Sequence, residues 1–201
     1  QQRAKIKYSA FEQLFRSTVN LSDENHLYHG YRLFAADGSD IQIPSNPMDE
    51  DTYYPGSNGQ KPYNLIHLNA IYDIITNTYQ DVLIQGSRHC AEHEALNHMV
   101  DCSCVNKALI IADRGYESYN VMAHIKEKGW KYLIRVKDIG GNGIVSRLDL
   151  PSSDEFDIDI DLNITRKNSK KMMQLFEDRN HYRYAPANSK LDFLPSRSSY
   201  K

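Results

Sequence analysis

The chain has 201 residues, 40% hydrophobic and 25% charged, so it is long enough for one sizeable core and has the composition of a soluble globular domain. Its formal net charge of -2, from 24 basic and 26 acidic residues, gives no bulk electrostatic case for nucleic-acid binding. The sequence has no apolar run of about 18 residues and no signal-peptide pattern, and its three cysteines are crowded together, so we expect a reducing, cytoplasmic setting without a membrane partner.

A helix is the first predicted element. Apolar residues recur at helix-like spacing from residue 1 to about residue 28, among lysine, arginine, glutamine and glutamate, and the stretch at residues 21–26 (Leu-Ser-Asp-Glu-Asn-His) breaks the pattern. We therefore take residues 1–30 as an N-terminal helical segment.

Three strands are predicted next. In residues 31–44, alternation places Leu33 on the same face as Asp37. Residues 64–75 and 78–85 form two further strands joined by a short turn, which predicts an antiparallel meander.

Helices and strands then alternate. Residues 91–101 and the segment from Ser118 to Gly129 carry apolar stripes typical of helices, with Ser118 as an N-cap and Gly129 as the stop. Residues 107–113 and 130–137 are the strands that follow each helix. The predicted fold is an α/β mixed sheet, in the order three antiparallel strands, helix, strand, helix, strand.

The remaining residues, 139–201, differ in composition from the core at residues 31–138. They contain a glycine-rich stretch at 140–143, an alternating stretch at 157–162, and many serine, asparagine and tyrosine residues. We predict a β-rich, loop-rich C-terminal region.

Two aspartates suggest a site. Asp37 lies on an apolar strand face, and Asp113 ends a run expected of a strand buried on both sides. A lone buried carboxylate is unfavourable, so each requires a cation, a donor network or a raised pKa. Each alone also fits a turn, but two such strands side by side would make a divalent metal site. Asp40 is interpreted as a solvated acid and Asp73 as a turn acid.

A histidine and cysteine cluster supports a different metal hypothesis. His89 and His93 are one helical turn apart, and Cys102 lies four residues after His98. Because the Cys-x-Cys spacing and the histidine spacing match no known zinc-finger pattern, we favour surface histidines and small buried cysteines.

The element order and the two acid motifs resemble the ribonuclease H-like catalytic core of DDE transposases of the insertion sequence 4 type. Residues 31–39 (Tyr-Arg-Leu-Phe-Ala-Ala-Asp-Gly-Ser) are similar to that family's first-acid motif, and residues 110–116 (Ile-Ile-Ala-Asp-Arg-Gly-Tyr) to its second. Residues 130–137 resemble the strand that follows. The resemblance covers roughly residues 1–138, and the C-terminal region is similar to the β insertion that these enzymes carry before their last core helix.

The resemblance implies an enzyme that cleaves DNA strands and transfers them. Two Mg²⁺ or Mn²⁺ ions about 3.5 to 4 Å apart would activate the attacking hydroxyl and stabilise the leaving oxygen. Asp37 would bridge the ions and Asp113 would anchor one. The implied partners are double-stranded DNA, as transposon ends and target, and a second copy in a synaptic homodimer, in a cytoplasmic, nucleoid-associated setting.

Local positive charge accompanies the predicted site. Arg114, Arg135 and Lys137 would contact DNA phosphates beside the acids, or are solvated charges at strand ends. The tyrosines of the long loop at residues 47–62 could stack on bases or pin the loop to the core.

The third acid of the family has no match in this sequence. The resemblance implies a glutamate on a later helix, within a Tyr, Arg, Glu, Lys signature that is absent up to Lys201. We therefore expect a C-terminally truncated fragment that binds metal weakly and catalyses little or nothing. The alternatives are a ribonuclease H-like nuclease without strand transfer, an inactive DNA-binding remnant, and an unrelated α/β domain whose acids are structural.

Overall fold

The computed structural model describes residues 5–20, 26–195 and 198–200, and its elements up to residue 134 come in the predicted order. In chain order they are helix α1 (Tyr8–Asn20), strands β1 (Arg32–Ile43), β2 (Tyr53–Tyr54), β3 (Tyr63–Asp73) and β4 (Thr78–Gly86), helix α2 (Glu92–Cys102), strand β5 (Ala108–Ala112), helix α3 (Tyr119–Glu127) and strand β6 (Lys131–Ile134). Helix α1 covers the middle of the predicted helical segment, and the predicted break at residues 21–26 falls mostly outside the described residues.

The strands form one mixed sheet in the order β4–β3–β1–β5–β6, with β2 beside the first residues of β3. Strand β3 runs antiparallel to both β1 and β4, whereas β5 runs parallel to both β1 and β6. The predicted antiparallel meander followed by parallel strands is confirmed. Strand β6 ends at Ile134, before its predicted end.

One face of β1 is buried under the helices, but the two predicted acids are not. Phe34 and Ala36 lie in the core with residues of α2 and α3, whereas the face that carries Leu33 is only half-buried. Asp37 and Asp113 are both exposed. The prediction that they are carboxylates buried in apolar strands is therefore wrong, because each lies one residue beyond the last buried residue of its strand.

Helices α2 and α3 pack together on the buried face of the sheet. The predicted apolar stripe of α2 is buried, and its members are Ala95, Leu96, Met99 and Val100. Helix α3 begins after Ser118, whose hydroxyl accepts a hydrogen bond from the Asn120 amide at 3.2 Å. It ends before Gly129, whose φ of +79° favours glycine. No helix within the described ranges has the length and apolar composition that a membrane span requires.

A buried ion pair joins the start of β1 to the turn between β3 and β4. Arg32 Nε donates to Asp73 Oδ2 at 2.6 Å, and the Asp73 side chain is fully buried. The other carboxylate oxygen, Oδ1, accepts from the amides of Ile75 and Thr76, both at 2.9 Å. The interpretation of Asp73 as a turn acid is confirmed, and the structure adds its pairing with Arg32.

Residues 135–195 and 198–200 form a loop-rich region around a small sheet. Its elements are β7 (Asn163–Thr165), α4 (Lys170–Leu175), β8 (Tyr182–Tyr184) and β9 (Ser199–Tyr200). Strand β7 pairs in parallel with β8 and antiparallel with β9. The region is loop-rich as predicted, but its strands are short, and the alternating residues 157–162 form no strand.

A histidine links this region to the helices. His124 of α3 lies 2.9 Å from a carboxylate oxygen of Asp101 through Nδ1 and 2.9 Å from one of Asp192 through Nε2. Burial lowers the pKa of His124, but the bonds and charges of the two carboxylates outweigh it, so the net pKa is raised. Burial raises the pKa of Asp192, but its bonds to Asn120 and His124 lower it more.

Candidate functional site

The two predicted acids lie on neighbouring strands, at the point where the pairing of β1 with β5 ends. The last paired residues are Ala36 and Ala112, and the next residues in the chain are Asp37, still within β1, and Asp113, directly after β5. Strand β1 continues along β3 beyond this point, whereas the chain after β5 enters a short 3-10 turn at residues 114–116. Neighbouring strands are about 5 Å apart, so the structure brings these two backbone positions side by side.

Backbone amides orient both carboxylates. The Gly38 amide donates to Asp37 Oδ1 at 2.9 Å, and the Gly115 amide donates to Asp113 Oδ1 at 2.7 Å. Asp113 Oδ2 lies 3.7 Å from Arg135 Nη2, a loose ion pair between exposed side chains. Each aspartate is thus held by one amide and remains exposed to solvent.

Glu92, the first residue of α2, brings a third carboxylate to this edge. A Cβ added to Gly38 would lie 3.2 Å from Glu92 Oε1, and one added to Gly115 would lie 3.9 Å from Oε2. The Glu92 carboxylate therefore lies near Gly38 and Gly115, whose amides bind the two aspartates. The apolar periodicity of residues 91–101 did not single out Glu92, although its place at the start of the helix after the meander was a usable signal.

His67 of β3 lies beside Glu92 and is only 6% exposed. Its Nδ1 lies 2.8 Å from Asp40 Oδ1, which also accepts from the Ser87 hydroxyl at 3.2 Å. Its Nε2 lies 3.1 Å from Glu92 Oε1, which is ion-pair distance, but has no hydrogen bond of regular geometry within the described part of the chain. Asp40 therefore has defined partners and is not simply the solvated acid that the sequence suggested.

The turn that follows β5 is pinned to α2. His93 Nε2 lies 2.6 Å from the Gly115 carbonyl oxygen, and because a carbonyl only accepts, Nε2 carries the proton. Tyr116 is buried beneath this turn. Burial raises the pKa of its hydroxyl, and the negative charges of Glu92 and then of the two aspartates raise it further. The charges of all three carboxylates thus raise the pKa of the same buried hydroxyl.

The donor chemistry of this edge fits a hard divalent cation. Carboxylate oxygens are the ligands that Mg²⁺ and Mn²⁺ prefer. The edge is closely packed, because a Cβ added to Gly38 would lie 2.6 Å from His67 Nε2 and one added to Gly115 would lie 2.8 Å from Asp113 Oδ1. Among the described residues, no group of three or more histidine, cysteine, aspartate or glutamate side chains is arranged to hold a metal ion. The carboxylates lie along one edge of the sheet but do not form a ready-made metal site.

The three cations predicted to contact DNA are exposed in the segments that follow β5 and β6. Arg114 follows Asp113 directly, and the Arg135 amide donates to the last carbonyl of β5 at 3.1 Å. The Lys137 amide donates to a carboxylate oxygen of Glu117 at 2.8 Å, which fixes the backbone after β6. Positive charge therefore borders the acids on the β6 side.

The histidine and cysteine cluster forms no metal site within the residues that the structure describes. Cys90, Cys102 and Cys104 are free and exposed, so the expectation of small buried cysteines is wrong. Cys102 Sγ lies 3.8 Å from His98 Nδ1 near the solvent-exposed end of α2. The buried stripe of this helix lies on its other side, so no packing covers the sulfur atoms.

The tyrosines of the long loop pack on each other. The rings of Tyr54 and Tyr63 are stacked with centroids 5.1 Å apart. The Tyr54 hydroxyl lies 3.3 Å from Ser87 Oγ, and the Arg88 guanidinium lies 5.6 Å from the centre of the Tyr54 ring. These contacts fasten the loop to β3 and to the end of β4, which favours the interpretation that the tyrosines pin the loop.

The fold is a mixed α/β sheet with acidic side chains at one edge, and it belongs to a known class. A family model described as a transposase DDE domain matches residues 28–188, more than half of the chain. The chain therefore belongs to the transposase DDE domain family, which confirms the predicted resemblance at the family level. Membership supports a transposase function, that of an enzyme acting on DNA, in a family that generally uses divalent metals. Searches among curated proteins and among solved structures gave no match.

Proposed function

We propose that this chain is the ribonuclease H-like catalytic domain of a DNA transposase of the insertion sequence 4 type, which cleaves and transfers DNA strands with divalent metal ions. The observation that carries the proposal is the placement of Asp37 and Asp113 on neighbouring strands, one residue past the last β1–β5 pair. The strand order β4–β3–β1–β5–β6, antiparallel at one edge and parallel at the other, supports the ribonuclease H-like topology.

Asp37 and Asp113 supply the carboxylate oxygens of the site. When bound, a pair of Mg²⁺ or Mn²⁺ ions supplies activation of the attacking hydroxyl and stabilisation of the leaving oxygen. Asp37, on the central strand, and Asp113, directly after β5, would hold these ions. The amides of Gly38 and Gly115 orient both side chains in advance, which lowers the entropy lost on binding.

Arg114, Arg135 and Lys137 contact the phosphates of double-stranded DNA. They provide local positive charge that the net charge of -2 does not provide overall. Arg135 is only loosely paired with Asp113, so it can turn to a phosphate once that carboxylate is engaged elsewhere. A second copy of the chain completes a synaptic homodimer.

The test is strand cleavage and joining by the product of the open reading frame that encodes these residues, on supercoiled plasmid with Mg²⁺ or Mn²⁺. We expect Asp37→Asn and Asp113→Asn each to lower the rate about 100-fold or more, because several kcal/mol of charge stabilisation depends on the metal-binding carboxylates. Asp178→Asn, which alters an exposed acid of the C-terminal region, is the matched control and keeps the rate.

Three outcomes oppose the proposal. Cleavage that survives both aspartate substitutions shows that the acids have no catalytic role. Nicked DNA without joined products indicates a nuclease on the same scaffold. Plasmid binding without cleavage in either metal indicates a non-enzymatic remnant. If Asp37→Asn and Asp113→Asn melt at the same temperature as the unmodified protein, misfolding is excluded as the cause of a lower cleavage rate.

A further inference from the structure

We propose that a cavity at the start of β1 binds a small organic carboxylate, and that Arg32 is the residue that holds the carboxylate group. The cavity has a volume of about 630 Å³, which is in the usual range for small-molecule sites. It lies away from the acids, because Arg32 is the first residue of β1 and Asp37 follows five residues later, about 16 Å along the strand. The proposal therefore does not depend on the metal site.

Several parts of the fold enclose this cavity. Helix α1 contributes Arg16, strand β1 contributes Arg32 and Phe34, the loop between α2 and β5 contributes residues 103–107, and Trp130 precedes β6. Phe34 and Trp130 belong to the hydrophobic core, and their rings lie 5.4 Å apart in an edge-on arrangement. The cavity thus combines an apolar inner wall with a few polar groups, as small-molecule sites do.

Arg32 lines the cavity and has an unpaired donor group. Its side chain is only 9% exposed, and Nη2 has no hydrogen-bond partner within the described ranges. Its Nε donates to Asp73 Oδ2 at 2.6 Å, but Asp73 Oδ1, the oxygen that would complete a two-bond pair, accepts instead from the amides of Ile75 and Thr76. A buried donor without an acceptor is unfavourable, so an acceptor that enters the cavity is favoured at the guanidinium.

The charges around the cavity favour an anion. Among the described residues its lining has three cationic side chains and one carboxylate, those of Arg16, Arg32, Lys107 and Asp81. Asp81 is already paired with Arg16 at 2.9 Å, and Lys107 is exposed. A guanidinium binds a carboxylate through charge-assisted hydrogen bonds, and the apolar wall accommodates a hydrocarbon body. A small organic carboxylate meets both requirements, whereas an inorganic oxyanion meets only the first.

Trp130, the only tryptophan of the 201-residue chain, reports binding through its fluorescence, and hexanoate is the probe. We expect a saturable change in fluorescence with hexanoate. Hexanamide, which lacks the charge, and inorganic phosphate, which lacks the apolar body, should each bind about 10-fold more weakly or worse. The proposal is overturned if hexanoate causes no saturable change, or if hexanamide or phosphate binds as tightly as hexanoate does.

Arg32→Lys tests the guanidinium while it keeps a positive charge beside Asp73. We expect about 10-fold weaker hexanoate binding, because lysine has no planar fork and its single nitrogen is occupied by Asp73. The matched control is Arg179→Lys, an exposed arginine 3.8 Å from Asp149, which should keep the affinity for hexanoate. Melting temperatures verify that both variants are folded. Unchanged hexanoate affinity in Arg32→Lys would overturn the role of Arg32.

Cysteine protection locates the ligand in the unmodified chain, so this test does not depend on the folding of a variant. Cys102 and Cys104 line the cavity, Cys90 lines a different groove, and all three thiols are free and exposed. We expect saturating hexanoate to suppress most of the alkylation of Cys102 and Cys104 by N-ethylmaleimide and to leave that of Cys90 unchanged, as measured by tandem mass spectrometry. Alkylation of Cys102 and Cys104 that is unaffected by hexanoate would place the ligand elsewhere and overturn the proposal.

Discussion

Gly38 is the residue at which the acidic edge is most tightly packed. Its amide binds Asp37, and an added Cβ would lie 2.6 Å from His67 Nε2 and 3.2 Å from Glu92 Oε1. Its φ lies outside the left-handed region, so glycine is required here for space and not for backbone conformation. A motif that looks like an ordinary Asp-Gly-Ser turn in the sequence therefore has a packing role.

We expect Gly38→Ala to lower the free energy of unfolding by about 1–3 kcal/mol, because the buried His67 ring must move to admit the methyl group. Urea denaturation measures the change. Gly140→Ala is the control, since no atom of the described structure lies within 4 Å of its added Cβ and its stability should hold. Equal stability of the two variants would contradict the packing described around Gly38.

At the scale of elements, unequal strand lengths create the site. Strand β1 has 12 residues and β5 has 5, so β5 stops while β1 continues along β3. At the end of the β1–β5 pairing, Asp113 enters a turn, whereas Asp37 is still paired with β3. Helix α2 begins near this position, with Glu92 as its first residue. The site is therefore a consequence of where three elements begin and end.

The pair of Arg32 and Asp73 is a buried polar link between elements. Asp73→Ala leaves the Arg32 guanidinium buried without its carboxylate and removes the acceptor of two turn amides. We expect a loss of about 3–5 kcal/mol in the free energy of unfolding. Asp81→Ala in the same hairpin removes a partly exposed pair with Arg16 and should change stability by about 1 kcal/mol or less.

Guanidinium chloride denaturation, followed by circular dichroism, distinguishes these two variants. A similar midpoint for Asp73→Ala and Asp81→Ala would mean that the buried pair contributes no more than a surface pair. A large loss in Asp73→Ala alone would show that the start of β1 depends on the β3–β4 turn for its position in the sheet.

At the scale of the whole molecule, His124 makes the attachment of the C-terminal region sensitive to pH. Because the pKa of His124 is raised, its contribution is complete below its ordinary value of 6.5 and is lost as the pH rises through the raised pKa. Because the pKa of Asp192 is lowered, its contribution is present above its ordinary value of 3.8 and is lost as the pH falls through the lowered pKa. The attachment is therefore strongest between about pH 4 and 6.5.

Hydrogen exchange of residues 185–194 checks this dependence. After correction for intrinsic rates, we expect faster exchange at about pH 8.5 than at about pH 6. The change in the free energy of opening should be below about 1 kcal/mol, because the carboxylates of Asp101 and Asp192 are half-exposed or more. His124→Gln should remove the pH dependence, whereas His181→Gln, which alters a local pair with Asp178, should keep it. An unchanged pH dependence in His124→Gln would assign it to other groups.

The local sequence was sufficient to predict most helices and strands of the core and to find the two acid motifs. Ser118 and Gly129 marked the ends of α3 because caps act on neighbouring residues, and the apolar stripe of α2 followed from its period. The small C-terminal sheet was predicted only in outline. Its short strands depend on partners far along the chain, and a three-residue strand such as β7 carries too little periodicity to be recognised.

Periodicity and neighbouring residues were enough to predict the order of strands and helices, and to place Asp37 within β1 and Asp113 directly after β5. Three features required the folded structure: the exposure of both acids, the position of Glu92 and His67 beside Gly38, and the pairing of Arg32 with Asp73. The physical reason is that periodicity assigns a side chain to a face of its own element. Which distant element covers that face, and which charges then meet, is settled by long-range packing.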